Sequence, residues 1–174
     1  MNDDIETRPV LLATNPFLRK KTKIVEKEDL KDVKELLPMM FETMYKAGGI
    51  GLAAPQVGIG LRFFIIDLMQ NNQSEKIVII NPEVIEKSEE LESYKEGCLS
   101  FPDQYSDVIR PEKIKINYMD INGSRQEMEA DGLLARCIQH ETDHLDGILF
   151  VDHISSLKRN IIMRKIIKEQ KRHR

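Results

Sequence analysis

The sequence predicts an α+β fold, and three features of its patterning lead there. Apolar residues recur at steps of three and four in three separated stretches, one before residue 50, one around residue 140 and one at the C-terminal end. Between the first two lies a block of strand-like runs rich in Ile, Val and Phe. Two runs of that block flank a turn dipeptide, so hairpin pairing stands where a parallel sheet would show strand-helix-strand alternation.

The first helix spans residues 28 to 47, where Leu30, Val33, Leu36, Leu37, Met40, Phe41 and Met44 share one face. Gly48-Gly49 stops it. The runs Leu61 to Leu68 and Ile77 to Ile80 read as strands separated by the polar loop Gln70 to Glu75. Lys113 to Asp120 and Arg125 to Ala130 are two more, joined at Asn122-Gly123, whose tolerance of positive φ suits a tight hairpin turn. From Asp131 the period changes: Leu133, Leu134, Cys137, Ile138, Glu141 and Leu145 describe a second helix, with Asp131 as N-cap and Gly147 as stop. A third helix covers about Ser155 to Lys171, with Leu157, Ile161, Ile162, Ile166 and Ile167 on one stripe.

A chain of 174 residues fits one domain, 1–174, and can bury a core without disulfide or metal staples. Its 41% apolar and 32% charged residues are ordinary for a globular protein. Twenty-six basic residues against 29 acidic ones exclude a surface devoted wholly to nucleic acid. The start, Met1-Asn2-Asp3-Asp4-Ile5-Glu6, is acidic and lacks the apolar run of a secretory signal, and no stretch has the length a membrane helix needs. A cytoplasmic location follows as the expectation, and there Cys98 and Cys137 are thiols or metal ligands rather than a disulfide.

Chemistry concentrates in His140-Glu141-Thr142-Asp143-His144. Residues four apart on a helix project from one face a turn apart, so His140 and His144 can grip a single cation. Glu141 is rotated about 100° from His140 and can act on water at that cation without being a ligand. Two imidazoles alone do not hold a catalytic metal firmly, and two cysteines compete for the third place. Cys137 lies seven residues from His144, about 10 Å along the helix at about 1.5 Å per residue. Cys98, in Glu96-Gly97-Cys98-Leu99-Ser100, follows a strand-like run and can be delivered from a separate element. The geometry favours Cys98, and leaves Cys137 as a small thiol packed behind the site. A Cys-His-His set with an open fourth position binds water, lowers its pKa towards neutrality and so predicts hydrolysis. It suits iron(II), zinc, cobalt or nickel.

Gly49-Ile50-Gly51-Leu52-Ala53-Ala54 matches the loose dinucleotide fingerprint, but a helix precedes it and Pro55 follows it. Its small residues instead let backbone approach a ligand closely, with the Gln56 amide beside it.

Three motifs therefore stand in order: Gly49-Ile50-Gly51-Leu52-Ala53-Ala54-Pro55-Gln56, Glu96-Gly97-Cys98-Leu99-Ser100 and Gln139-His140-Glu141-Thr142-Asp143-His144-Leu145-Asp146-Gly147. Together they resemble the peptide deformylase family over about Thr7 to Lys168. The resemblance implies antiparallel β-sheets around a central metal-binding helix, with an N-terminal and a C-terminal helix. It implies removal of the formyl group from the N-terminal methionine of new polypeptides, usually with iron(II) and with zinc, nickel or cobalt as substitutes. By motif, Cys98, His140 and His144 would be the ligands and Glu141 the general base and then acid. The Gln56 side chain and the Leu99 backbone N–H would hold the oxyanion. Backbone around Ile50, Gly51 and Gly97 would pair with the substrate, and Ile50, Leu133, Cys137 and the aliphatic part of Glu96 would line the methionine pocket. Arg136 and Tyr105 depart from residues that some members carry near that pocket and its mouth.

The third helix is rich in Lys and Arg, ending Lys171-Arg172-His173-Arg174. The default reading is a solvated face; the resemblance adds ribosome docking through phosphate contacts, without sequence-specific nucleic-acid recognition. The rival reading is a zincin-type peptidase, whose third ligand would lie downstream, where His153 and His173 are the remaining histidines.

Overall fold

The computed structural model describes residues 4–174; Met1 to Asp3, the start of the acidic segment, lie outside the described residues. In chain order the elements are α1 (Leu30–Lys46), β1 (Gly51–Ala53), β2 (Phe63–Ile66), β3 (Ile77–Lys87), β4 (Leu91–Cys98), β5 (Phe101–Pro111), β6 (Lys113–Met119), β7 (Arg125–Asp131), α2 (Gly132–Leu145) and α3 (Ser156–Arg172). Strands β1-β2-β3-β6-β7 form one antiparallel sheet, and β4 and β5 form a second, two-stranded one. The α+β expectation holds, with the motif helix α2 packed against the sheet and basic α3 last.

Strand β2 shows why the layers form. Phe63 and Ile65 face one way and pack with Val33, Met40, Phe41 and Met44 of α1. Phe64 and Ile66, on the opposite pleat, pack with Ala135, Ile138 and Leu145 of α2. The strand is covered on both faces, so all four side chains are buried and the run reads as continuous rather than alternating. Each such side chain contributes about 1.5–3 kcal/mol on full burial. A third cluster joins Leu18, Phe101 and Val108 to Phe150, Ile162 and Ile166, fixing β5 against α3.

Four local expectations change. The hairpin β4–β5 has a second strand, Phe101–Pro111, that the sequence patterning does not reveal. The β6–β7 turn is not a two-residue one: Met119 pairs with Arg125, and Asp120 Oδ1 accepts from the backbone N–H of Asn122 and Ser124 at 2.9 Å each. Only Gly123 of its central pair has positive φ, +80°. Asp131 occupies the N-cap position of α2, but its side chain makes no capping bond. It is also the last residue of β7, paired with Lys113, and Gly132 at φ +53° turns the chain directly into the helix. Finally, Pro55 falls in the first turn of a short 3-10 helix, Ala54–Val57, where a proline needs no N–H partner.

The stop at Gly147 is as expected and has a clear cause. Its φ is +74°, and a Cβ there would lie 2.4 Å from the Arg19 carbonyl oxygen.

Candidate active site

Cys98 ends β4, at a register shift between Gly97 and Cys98 that interrupts the β4–β5 ladder. His140 and His144 come from successive turns of α2, with ring centroids 5.1 Å apart. One potential ligand atom from each of Cys98, His140 and His144 lies within 4.8 Å of the other two, and no other such cluster occurs among the described residues. The Cys98 Sγ is 3.3 Å from His144 Nε2.

His140 is oriented by Glu96, whose Oε1 lies 2.6 Å from Nδ1. A proton on Nδ1, donated to that carboxylate, leaves Nε2 with its lone pair, which is the arrangement a ligating imidazole requires. The donor set, one thiolate sulfur and two imidazole nitrogens, is the one expected for a transition metal or zinc, and its clustering fits one ion. His153, the rival downstream ligand, instead places Nε2 2.8 Å from Asp143 Oδ2 and is not in the cluster.

Glu96 is itself a hub. Arg110 donates to it twice, at 3.0 and 2.8 Å, and Arg136 once, at 2.9 Å. Burial would raise its pKa, but hydrogen bonds from His140 and Arg110 outweigh that and hold the carboxyl well below the usual range. Arg110 also reaches Asp143 at 2.9 Å, and Arg136 donates to the backbone carbonyls of Val108 and Glu92. The departure noted at Arg136 thus has a structural role: its buried guanidinium is spent on Glu96 and on both strands of the hairpin. The sequence reading lacks Arg110 and Asp143. Asp143 lies inside the quoted motif, whereas Arg110 sits in the unforeseen β5.

Glu141 is buried, its Oε1 4.0 Å from His140 Nε2 and its Oε2 without a hydrogen-bond partner. Burial raises its pKa to about 7, against the pull of charge on His140. His144 is shifted well down, first by burial and then by His140, while the Cys98 and Glu96 partners of His140 overcome its burial and push it up. Cys137 is buried with its thiol pushed up to about 12, first by burial and then by Glu141 and Glu96. It stays protonated and lies outside the ligand cluster.

The glycine-rich segment lies against the site. A Cβ on Gly51 would lie 2.7 Å from Glu141 Oε1, and one on Gly49 would lie 2.6 Å from the Leu99 side chain. Gln56 is fixed by both ends of its amide: Oε1 accepts from Ala53 N–H at 2.9 Å. Its Nε2 lies 3.1 Å from Ser100 Oγ and 3.5 Å from Cys98 Sγ. The amide donor is thereby held beside the cluster. Ile50 and Leu133 are partly exposed, at 37% and 36%, whereas Glu96 and Cys137 are buried.

Fold and site together define an α+β hydrolase class in which a sheet-borne cysteine and a helix-borne histidine pair form a candidate metal site beside a buried carboxylate. The polypeptide deformylase family model matches residues 7–160, and the chain belongs to that family. Its members are hydrolases that remove the N-formyl group from the N-terminal methionine of polypeptides. The peptide deformylase of Zymomonas mobilis is 49% identical over 168 residues, covering 94% of each chain. That of Agrobacterium fabrum is 45% identical over 162 residues, covering 92% of this chain and 95% of its own. A crystal structure of a Legionella pneumophila peptide deformylase superposes with a TM-score of 0.89 at 42% identity, covering 97% of this chain and 98% of that one. One from Synechococcus elongatus in complex with actinonin gives 0.84 at 45% identity, covering 90% and 85%.

Proposed function

We propose that the chain, as a single catalytic domain over residues 1–174, deformylates N-formylmethionyl peptides with Cys98, His140 and His144 holding one divalent ion. Iron(II) is the native metal in this reading, and zinc, nickel or cobalt substitute. The carrying observation is the convergence of the three ligand atoms within 4.8 Å beside a buried carboxylate, Glu141, whose Oε2 has no partner. When bound, the ion supplies Lewis-acid activation of water and of the formyl carbonyl.

The protein groups then have separate tasks. Glu141, with its pKa raised to about 7, takes a proton from the attacking water and passes it to the leaving amine. The Gln56 Nε2, held by the Ala53 and Ser100 contacts, and the Leu99 backbone N–H stabilise charge on the formyl oxygen. Backbone at Ile50, Gly51 and Gly97 takes the peptide as an added strand, because β1 is an edge strand of its sheet and β4 pairs only with β5. Ile50, Leu133, Cys137 and the aliphatic part of Glu96 line the methionine pocket.

In the same reading the protein works in the cytoplasm, and no helix of the described residues is long and apolar enough to cross a membrane. Its substrates are nascent chains, and α3 docks on the ribosome through Lys and Arg contacts to phosphate. Formate release from formyl-Met-Ala-Ser by anaerobically purified protein, with metal analysis, tests the activity. No formate with iron, nickel or cobalt loaded would sink it.

A further inference from the structure

The β4–β5 hairpin and α3 enclose a groove of about 520 Å³ lined by Lys95, Tyr105, Asp107, Lys158, Ile161 and Lys165 among others. Tyr105 and Ile161, both exposed, give it apolar surface. Three lysines face one carboxylate, Asp107. Lysine ion pairs among the described residues involve Lys46 and Lys115, so these three are uncommitted to a carboxylate. Lys95 rests over the Tyr105 ring at 5.3 Å. The chain as a whole carries a formal charge of −3, so the groove runs against the net sign.

Tyr105 ties the groove to the strand that carries Cys98. It is the cross-strand partner of Gly97, and a Cβ on Gly97 would lie 2.6 Å from its ring. Gly97 precedes Cys98, and Lys95 lies on the same strand. At about 3.3 Å per residue, Lys95 stands about 10 Å from Cys98 along β4. A peptide whose formyl end reaches Cys98 and which extends along β4 brings its third or fourth residue level with Lys95. Lys158 and Lys165 face the same groove from α3.

We propose that this groove reads the charge of substrate residues shortly downstream of formyl-methionine, favouring peptides with Asp or Glu at positions three to five over those with Lys or Arg. The inference rests on the deformylase reading and adds a substrate preference to it. Charges at a solvated rim act mainly by steering encounter and excluding like charge, so the preference is moderate and salt-sensitive. A peptide fits better than a nucleic acid because the groove borders β4, three residues from Cys98 at Lys95, and mixes apolar surface with its lysines.

The test compares formyl-Met-Ala-Ser-Asp-Glu with formyl-Met-Ala-Ser-Lys-Lys as kcat/KM at low and high salt, with formyl-Met-Ala as reference. The acidic peptide is expected to win by roughly fivefold at low salt, with the ratio falling towards one at high salt. The double variant Lys158→Glu/Lys165→Glu is expected to abolish or invert the ratio, which is read within each protein so that a general change in rate cancels. Cleavage of formyl-Met-Ala with a ratio near one overturns this inference alone, as does a ratio the variant leaves intact. Failure to cleave formyl-Met-Ala defeats the deformylase reading instead. Anisotropy of dye-labelled versions of the two peptides then gives the same ratio as Kd. Tighter binding of a short RNA than of the acidic peptide also overturns the assignment.

Discussion

The Glu96 carboxylate lies 2.6 Å from His140 Nδ1 and is held there by Arg110 and Arg136, so the ring that faces Cys98 is oriented from behind by a residue two positions before that cysteine. Glu96 and Cys98 belong to the same strand, so the ladder that positions one positions the other.

Glu96→Gln is therefore expected to weaken metal binding by about 10–100-fold, because it removes the charge that fixes the His140 tautomer. Glu96→Ala should in addition lower stability by about 3–5 kcal/mol, since the buried Arg110 and Arg136 lose the carboxylate they share. Competition against a chelator gives the first quantity and urea unfolding the second. Unchanged metal affinity in Glu96→Gln would show that the ring does not depend on this bond.

Gly51→Ala separates catalysis from folding. The new Cβ would lie 2.7 Å from Glu141 Oε1, so the carboxylate must move. A displacement near 1 Å at a reacting group reduces kcat/KM by about 100-fold, whereas metal content should persist because Gly51 touches no ligand in the cluster. Gly60→Ala, whose Cβ meets only Phe17 at 3.8 Å, is the control and should be close to neutral. Full activity in Gly51→Ala would remove Glu141 from the proposed role.

The two cysteines should differ in reactivity. Cys98 is partly exposed and sits in the candidate metal cluster, whereas the buried Cys137 thiol is pushed up to about 12 and stays protonated. Metal-free native protein treated with iodoacetamide should be alkylated at Cys98, and metal should protect it, with Cys137 modified only after denaturation. Mass spectrometry of peptides distinguishes the sites. Native labelling of Cys137 would contradict its placement behind the site.

How much of this is legible in the sequence depends on the distance over which each rule acts. The His140–His144 pair and Glu141 follow from helical spacing within five residues, and the exclusion of Cys137 from the ligand set follows from helical rise. The role of Glu96 does not follow so directly. Its partners Arg110 and Arg136 are 14 and 40 residues away; the β4–β5 pairing brings the first and the packing of α2 against that hairpin brings the second. That pairing is hidden because β5 alternates weakly: Pro102, Asp103, Tyr105, Asp107 and Ile109 lie among buried Phe101, Val108 and Arg110. The Asn122-Gly123 turn fails for a related reason, since the Asp120 carboxylate organises a longer loop than the dipeptide suggests.

Asp67 gives a pH-dependent test away from the candidate metal ligands. Its carboxylate accepts from Tyr45 and Ser74 hydroxyls and from the backbone N–H of Met69 and Glu75, while its own N–H donates to Ile50 O beside Gly51. Burial would raise its pKa, but these four bonds outweigh it and bring the value down from 3.8 to about 2. A depressed carboxyl stabilises the fold fully above its unfolded pKa and loses that contribution as pH falls from 3.8 towards about 2. Asp67→Asn is therefore expected to be less stable at pH 7 by about 1–3 kcal/mol, as an amide cannot accept all four donors. The gap should narrow as pH falls towards the lowered pKa, where the native carboxyl also takes a proton. Urea unfolding of both proteins from pH 7 down to pH about 2 reads the difference directly. A gap that is constant over this range would mean that the bonds to Asp67 act without its charge.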